Sequence, residues 1–154
     1  LGKDFDQVYV FTVFRTNFND PTFVTNNWAF LDFDNNEYFT SYIRGDGRMG
    51  FQYLGSVENI AKGVTPLNDN IPHIGLTIYD NTKTNDEEIY ADGALELSDD
   101  KEAPGVKIGS NTTTRFGYIG DGSEASVFNG GGNNRYYKGQ IAEILYYKNR
   151  TFTS

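Results

Sequence analysis

HIGLTIYD (73–80), EEIYADG (87–93) and ALEL (94–97) follow one another with apolar and aromatic residues at alternate positions, and Asp92-Gly93 separates the last two runs. Period two marks a half-buried strand, whereas a helix repeats near 3.6, and an Asp-Gly pair takes the backbone of a tight hairpin turn. The alternation extends outward in both directions. It recurs in QVYVFTVFR (7–15), WAFLDF (28–33), EYFTSYIR (37–44) and RMGFQYL (48–54), then in RFGYIG (115–120) and YYKGQIAEILYYK (136–148). Gly45-Asp46-Gly47 supplies a second tight turn, between Tyr42-Ile43 and Met49, and this explains the tripeptide Arg44-Gly45-Asp46 without an adhesive role. Only residues 57–62 have the makings of a helical turn. Short strands joined by Gly/Asn turns predict an all-β protein of two packed antiparallel sheets. Trp28, Phe30, Phe39, Ile43, Phe51, Leu76, Ile78, Ile119, Ile141 and Ile144 are expected to point inward. No repeat, low-complexity tract or linker interrupts the pattern, so residues 1–154 read as a single domain.

A chain of 154 residues, 38% apolar and 16% aromatic, is long enough for one substantial core. Thirteen Lys and Arg against twenty-one Asp and Glu leave a net charge of −8, which repels phosphate backbones and anionic lipid. Nucleic acid and membrane insertion are therefore not expected, and no apolar run approaches the roughly 18 residues of a membrane span. Cysteine is absent, which removes disulfides, thiolate nucleophiles and Cys-ligated zinc. His73 is the only histidine, so a Ser-His-Asp arrangement has one base to draw on and multi-histidine metal sites are excluded. At the head of a strand, His73 reads first as a structural hydrogen bonder. The N-terminal LGKDFDQ has no signal-peptide character, and the chain reads as a domain of a larger protein. Acidic, cysteine-free, Gly- and Asn-rich composition suits an extracellular or cell-surface setting in which Ca2+ takes the stabilising role of disulfides.

The second half carries a family resemblance, in His73 to Asp80, Ile89-Tyr90-Ala91-Asp92-Gly93, Tyr118-Ile119-Gly120 and Tyr137-Lys138-Gly139-Gln140-Ile141-Ala142-Glu143-Ile144-Leu145-Tyr146-Tyr147. In order and spacing these resemble the concanavalin A-like lectin/glucanase superfamily, and within it the laminin-G-like jelly rolls. The likeness spans about residues 28–148 and implies a two-sheet jelly-roll sandwich. That fold hosts lectins, glycosidases and adhesion modules alike. Pro72 stands where the pattern usually has Trp before His73. QVYVFTVFR resembles the second strand of the fold rather than the first, which leaves open whether terminal strands are missing. The composition is also similar to that of the ligand-binding, including peptide-binding, domains of calcium-dependent bacterial adhesins.

Glycosidases of this superfamily place an acid and a nucleophile on one strand face as Glu-x-Asp-x-x-Glu or Glu-x-Asp-x-Glu, and no such motif occurs. Asp86-Glu87-Glu88 reads as a solvated turn. Residues 120–134 are more informative. Ca2+ takes about six to eight oxygens, and a glycine-rich loop can aim carbonyls beside Asp and Asn side chains. Asp121, Glu124, Asn129, Asn133 and Asn134 are the candidate metal ligands there. Gly130, Gly131 and Gly132 with Tyr136 and Tyr137 are the candidate ligand-binding residues. The competing reading is a hairpin whose Gly and Asn merely permit positive φ. Asp32 and Asp34 form a second oxygen cluster with Asn36, but Glu37 stands where an EF-hand loop needs Gly. Tyr136 and Tyr137 cannot both face the same side of a strand. Trp28 and the tyrosines are candidates for stacking on sugars.

The resulting expectation is a non-enzymatic, calcium-dependent adhesion module that binds a glycan or a peptide C-terminus on another cell or protein through Ca2+ in rim loops. The alternative is a glycan-cleaving hydrolase or lyase of the same fold.

Overall fold

The computed structural model describes residues 6–20, 27–33, 38–53, 60–100, 105–109, 117–121 and 136–149. Within them lie β1 (Gln7–Arg15), β2 (Asn27–Asp32), β3 (Phe39–Arg44), β4 (Met49–Tyr53), β5 (Ile60–Lys62), β6 (His73–Asp80), β7 (Glu87–Ala91), β8 (Ala94–Asp99), β9 (Tyr118–Ile119) and β10 (Gln140–Lys148). One sheet runs β10-β1-β6-β7-β8 and the other β5-β4-β3-β2-β9, with antiparallel pairing throughout. The described residues contain no helix, and Ile60–Lys62 is an edge strand on β4 where a helical turn was expected. Alanine and lysine are good helix formers, but tertiary context overrides that propensity here: pairing with Gly50 to Gln52 satisfies the backbone.

The core fills the space between the sheets. Val8, Val10 and Phe14 of β1 meet Trp28, Phe30, Phe39, Ile43 and Phe51 from the opposite sheet, with Tyr53, Tyr79 and Ile89 closing one end. Phe14 and Phe30 are in ring contact across the sandwich, with centroids 4.6 Å apart. Ile141 and Ile144 pack against this core from β10.

Three residues expected inside are placed otherwise. Ile119 is 68% exposed. On β6 the inward set is His73, Gly75, Thr77 and Tyr79. Thr77 Oγ1 donates to Ser41 Oγ of β3 at 3.1 Å, and Tyr79 packs on Tyr53. A Cβ on Gly75 would lie 2.3 Å from the Met49 side chain, so glycine there is what seats Met49. Leu76 and Ile78 therefore face outward. The register aligns Leu76 with Phe11 and Tyr90, and these with Leu145 and Leu95, as an apolar row on the outer face. Ile78 is buried within that layer, away from the intersheet core.

The β3–β4 hairpin closes through Arg44 N donating to Arg48 O and Gly47 N to Arg44 O. Gly47 has φ +83°, and a Cβ would strike the Asn68 side chain. Arg44 Nε sits 3.3 Å from Asp46 Oδ1, so the two charges of Arg44-Gly45-Asp46 pair with each other. Glu87 and Asp86 are buried rather than solvated.

Candidate functional site

Gly120 follows β9 with φ +74°, which frees the chain to turn away from the sheet, and its N–H donates to Phe30 O at 3.1 Å. Seventeen positions later in sequence stands Tyr137. Tyr137 N donates to Gly120 O at 2.9 Å, so the two ends of the intervening segment are pinned together at the sandwich rim. The Tyr137 ring packs 5.2 Å from that of Phe30, and its hydroxyl donates to Arg15 O at 2.9 Å. Burial pushes the Tyr137 phenol well above the usual range for tyrosine. Tyr137 is thus an anchor of the core. Tyr136 is 52% exposed.

Around this base, Thr16 Oγ1 donates to Lys138 O, and Phe18 N donates to Thr16 Oγ1 at 3.0 Å. Lys138 Nζ lies 4.1 Å from the centre of the Phe18 ring, which stands edge-on to Trp28. Trp28 is buried in this contact. Of the aromatics considered for sugar stacking at this rim, Tyr136 presents its ring to solvent while Trp28 and Tyr137 are consumed by packing.

Asp121 is half-buried at the point where the segment departs. Glu124, Asn129, Asn133, Asn134 and Gly130, Gly131 and Gly132 lie outside the described residues, as does Asp34. Asp32 is buried in β2. β2 pairs with β9 through Leu31 with Ile119 and Asp32 with Tyr118. Among the described residues no group of three His, Asp or Glu side chains is arranged to hold a metal ion.

At the far rim, Asp80 carries a heavily bonded carboxylate. It accepts from Thr82 Oγ1 at 2.6 Å, Thr82 N at 3.0 Å, Gln7 Nε2 at 3.2 Å and Tyr9 OH at 3.3 Å. Burial alone would raise its pKa, but these donors outweigh it and hold it below the usual carboxylate value. Burial together with the Asp80 charge pushes the Tyr9 phenol up to about 12. A carboxylate kept ionised this way is a structural acceptor, and sequence gave no sign of it beyond its place at a strand end. His73 has a carboxylate at each ring nitrogen, so both nitrogens are already engaged.

No protein-family model matches the chain, and no curated protein matches it in sequence. Solved structures do match its fold. A native heptameric SAP-like pentraxin from Limulus polyphemus aligns with a TM-score of 0.64 at 15% identity, over 93% of this chain and 64% of that one. The Ruminococcus gnavus IT-sialidase CBM40 bound to α2,3 sialyllactose gives 0.64 at 16% identity, over 93% and 76%. Domains LG4-5 of the mouse laminin α1 chain give 0.60 at 15% identity, over 92% and 36%. The chain thus spans less than two thirds of the pentraxin and about a third of the laminin fragment. The fold is the jelly-roll sandwich of the concanavalin A-like, laminin-G-like proteins, as the strand pattern and the resemblance imply.

Proposed function

We propose that the domain is a non-catalytic glycan-recognition module of an extracellular protein, holding Ca2+ in the loop that begins at Asp121 and taking its ligand there. The observation that carries this reading is the pinned base formed by Gly120 and Tyr137, which sets a Gly/Asn-rich segment on a rigid rim with the exposed Tyr136 ring beside it. Binding residues concentrate in loops held on rigid scaffolds in this manner. The CBM40 neighbour, described as bound to sialyllactose, supports a glycan as the ligand class. Asp121, Glu124, Asn129, Asn133 and Asn134 would supply the ion's oxygens, and a hard cation with an open position accepts vicinal hydroxyls. Tyr136 would pack on the sugar face.

Two outcomes are expected. Glycan-array binding in Ca2+ is lost in EDTA and in Asp121→Ala and Asn133→Ala, with far-UV spectra unchanged. Binding that survives chelation and both substitutions overturns the reading, capture of C-terminal peptides instead replaces the glycan, and release of reducing ends from polysaccharide marks a hydrolase. Independently, Ca2+ at a hundredfold excess over its Kd stabilises the fold by about 2.7 kcal/mol, because the ion binds only the native state. Melting curves with Ca2+ and with EDTA check this, and superimposable curves count against the ion.

A further inference from the structure

His73 is the only histidine and is buried at the start of β6. Its Nδ1 lies 2.7 Å from Asp92 Oδ2 and its Nε2 lies 2.9 Å from Asp69 Oδ1. A neutral imidazole has one N–H, and ionised carboxylates only accept, so both contacts are hydrogen bonds only when the ring is an imidazolium. Each carboxylate is fixed in turn by a backbone amide. Ile74 N donates to Asp92 Oδ1 at 2.8 Å and Ile71 N to Asp69 Oδ1 at 3.0 Å.

The two carboxylates belong to different elements. Asp92 sits at φ +50° in the β7–β8 turn, and Asp69 lies in the connection from β5 to β6. That connection is a hub of the rim. Leu67 N donates to Gly47 O at 2.8 Å, Asn68 Nδ2 to Phe18 O at 3.1 Å, and Asn70 N to Thr16 O at 2.9 Å. Thr16 in turn holds Lys138 O, next to the Tyr137 anchor.

We infer that His73 is a pH-sensitive latch: as an imidazolium it fastens the β5–β6 connection to the β7–β8 turn, and loss of its proton releases the rim. The charges acting on the ring come from Asp92 and Asp69. From β1 it meets Phe14, with ring centroids 5.9 Å apart, and Arg15 next along β1 belongs to the opposite strand face. Burial pulls the imidazole pKa down, but the hydrogen bonds and charges of Asp92 and Asp69 outweigh it, leaving it above 6.5. Asp69 is lowered by its bonds to Ile71 N and His73. Asp92 is lowered as well, the bonds from Ile74 N and His73 outweighing desolvation. The sign follows. A raised histidine pKa contributes stability in full below the unfolded value and loses it as pH rises through the folded one, while the lowered carboxylates lose theirs only in acid. The latch is therefore closed below the unfolded imidazole value, down to the acid range of the two carboxylates, and opens as pH rises through the folded imidazole pKa.

The test needs no glycan or metal, so its failure is distinct from failure of the binding proposal. The single imidazole is titrated by NMR, and amide exchange of Asn70 and Leu67 is followed as a ratio to β1 amides, which cancels base catalysis of exchange. The expected results are an imidazole pKa above 6.5 and a protection ratio that falls as pH rises from about 6.5 to that pKa, by at most about tenfold per pH unit for one proton, and levels off above it. Asp69→Asn lowers the imidazole pKa, and His73→Gln removes the pH dependence of the ratio. If His73→Gln does not fold, the wild-type titration and Asp69→Asn still decide. An imidazole pKa at or below 6.5, a ratio flat across the titration, or an unmoved pKa in Asp69→Asn overturns the latch.

Discussion

Phe30→Ala lowers the unfolding free energy by about 3–5 kcal/mol, the range for deleting a buried aromatic ring from a packed core. The ring belongs to β2 and is fully buried, in contact with Phe14 of β1 at 4.6 Å and with Tyr137 at 5.2 Å between centroids. It therefore joins the two sheets and also seats the anchor of the candidate loop. Removing it leaves a cavity that neighbours in two different sheets cannot close without moving the sandwich. For a domain of this size each kcal/mol shifts the melting point by roughly 2–4 °C, so the midpoint falls on the order of 10 °C. Ile119→Ala is the control, because a side chain this exposed changes stability by about 0.5 kcal/mol or less. Equal effects of the two substitutions in urea titrations would contradict the intersheet packing.

Gly139→Ala separates the rim from the rest of the fold. A Cβ at this position would lie 2.3 Å from Arg15 O and 2.6 Å from the Tyr137 hydroxyl. The carbonyl is backbone and cannot swing aside, so the start of β10 must lift from the end of β1, and the Tyr137 OH to Arg15 O bond breaks with it. The expected cost is about 1–3 kcal/mol, the range for overpacking a filled site. Ligand binding at the candidate loop drops at least tenfold while the far-UV spectrum stays that of the folded sandwich. Gly93→Ala is the matched comparison, since nothing lies within 4 Å of a Cβ there and only the φ of +83° is strained. If Gly139→Ala binds glycan as the parent does, the pinned base is not what positions the site.

The strands were legible because their signal is local. Alternation in QVYVFTVFR and HIGLTIYD fixes the extended conformation, and the structure places β1 and β6 at those bounds. β5 was missed because three residues are too few to show a period, and its pairing with β4 is a long-range event. The candidate loop was legible in composition only. That Tyr137 is the anchor and Tyr136 the exposed partner follows from the contacts with Phe30 and Arg15, which alternation cannot assign.

By itself, the sequence determines that the chain is all-β, that it turns at Asp92-Gly93 and Gly45-Asp46-Gly47, and that thiol and multi-histidine chemistry are absent. It also determines which residues of a strand share a face, since that is the geometry of the pleat. Which of the two faces meets the core is a tertiary decision. β6 offers Leu76 and Ile78 on one face and His73, Gly75, Thr77 and Tyr79 on the other, and hydrophobicity alone chooses the first. The second faces inward because Met49 fills the space over Gly75, Ser41 satisfies Thr77 and Tyr53 packs against Tyr79, all supplied by a sheet distant in sequence. The same holds for His73, whose partners Asp69 and Asp92 share one ring only after the β5–β6 connection and the β7–β8 turn have been brought to the same rim.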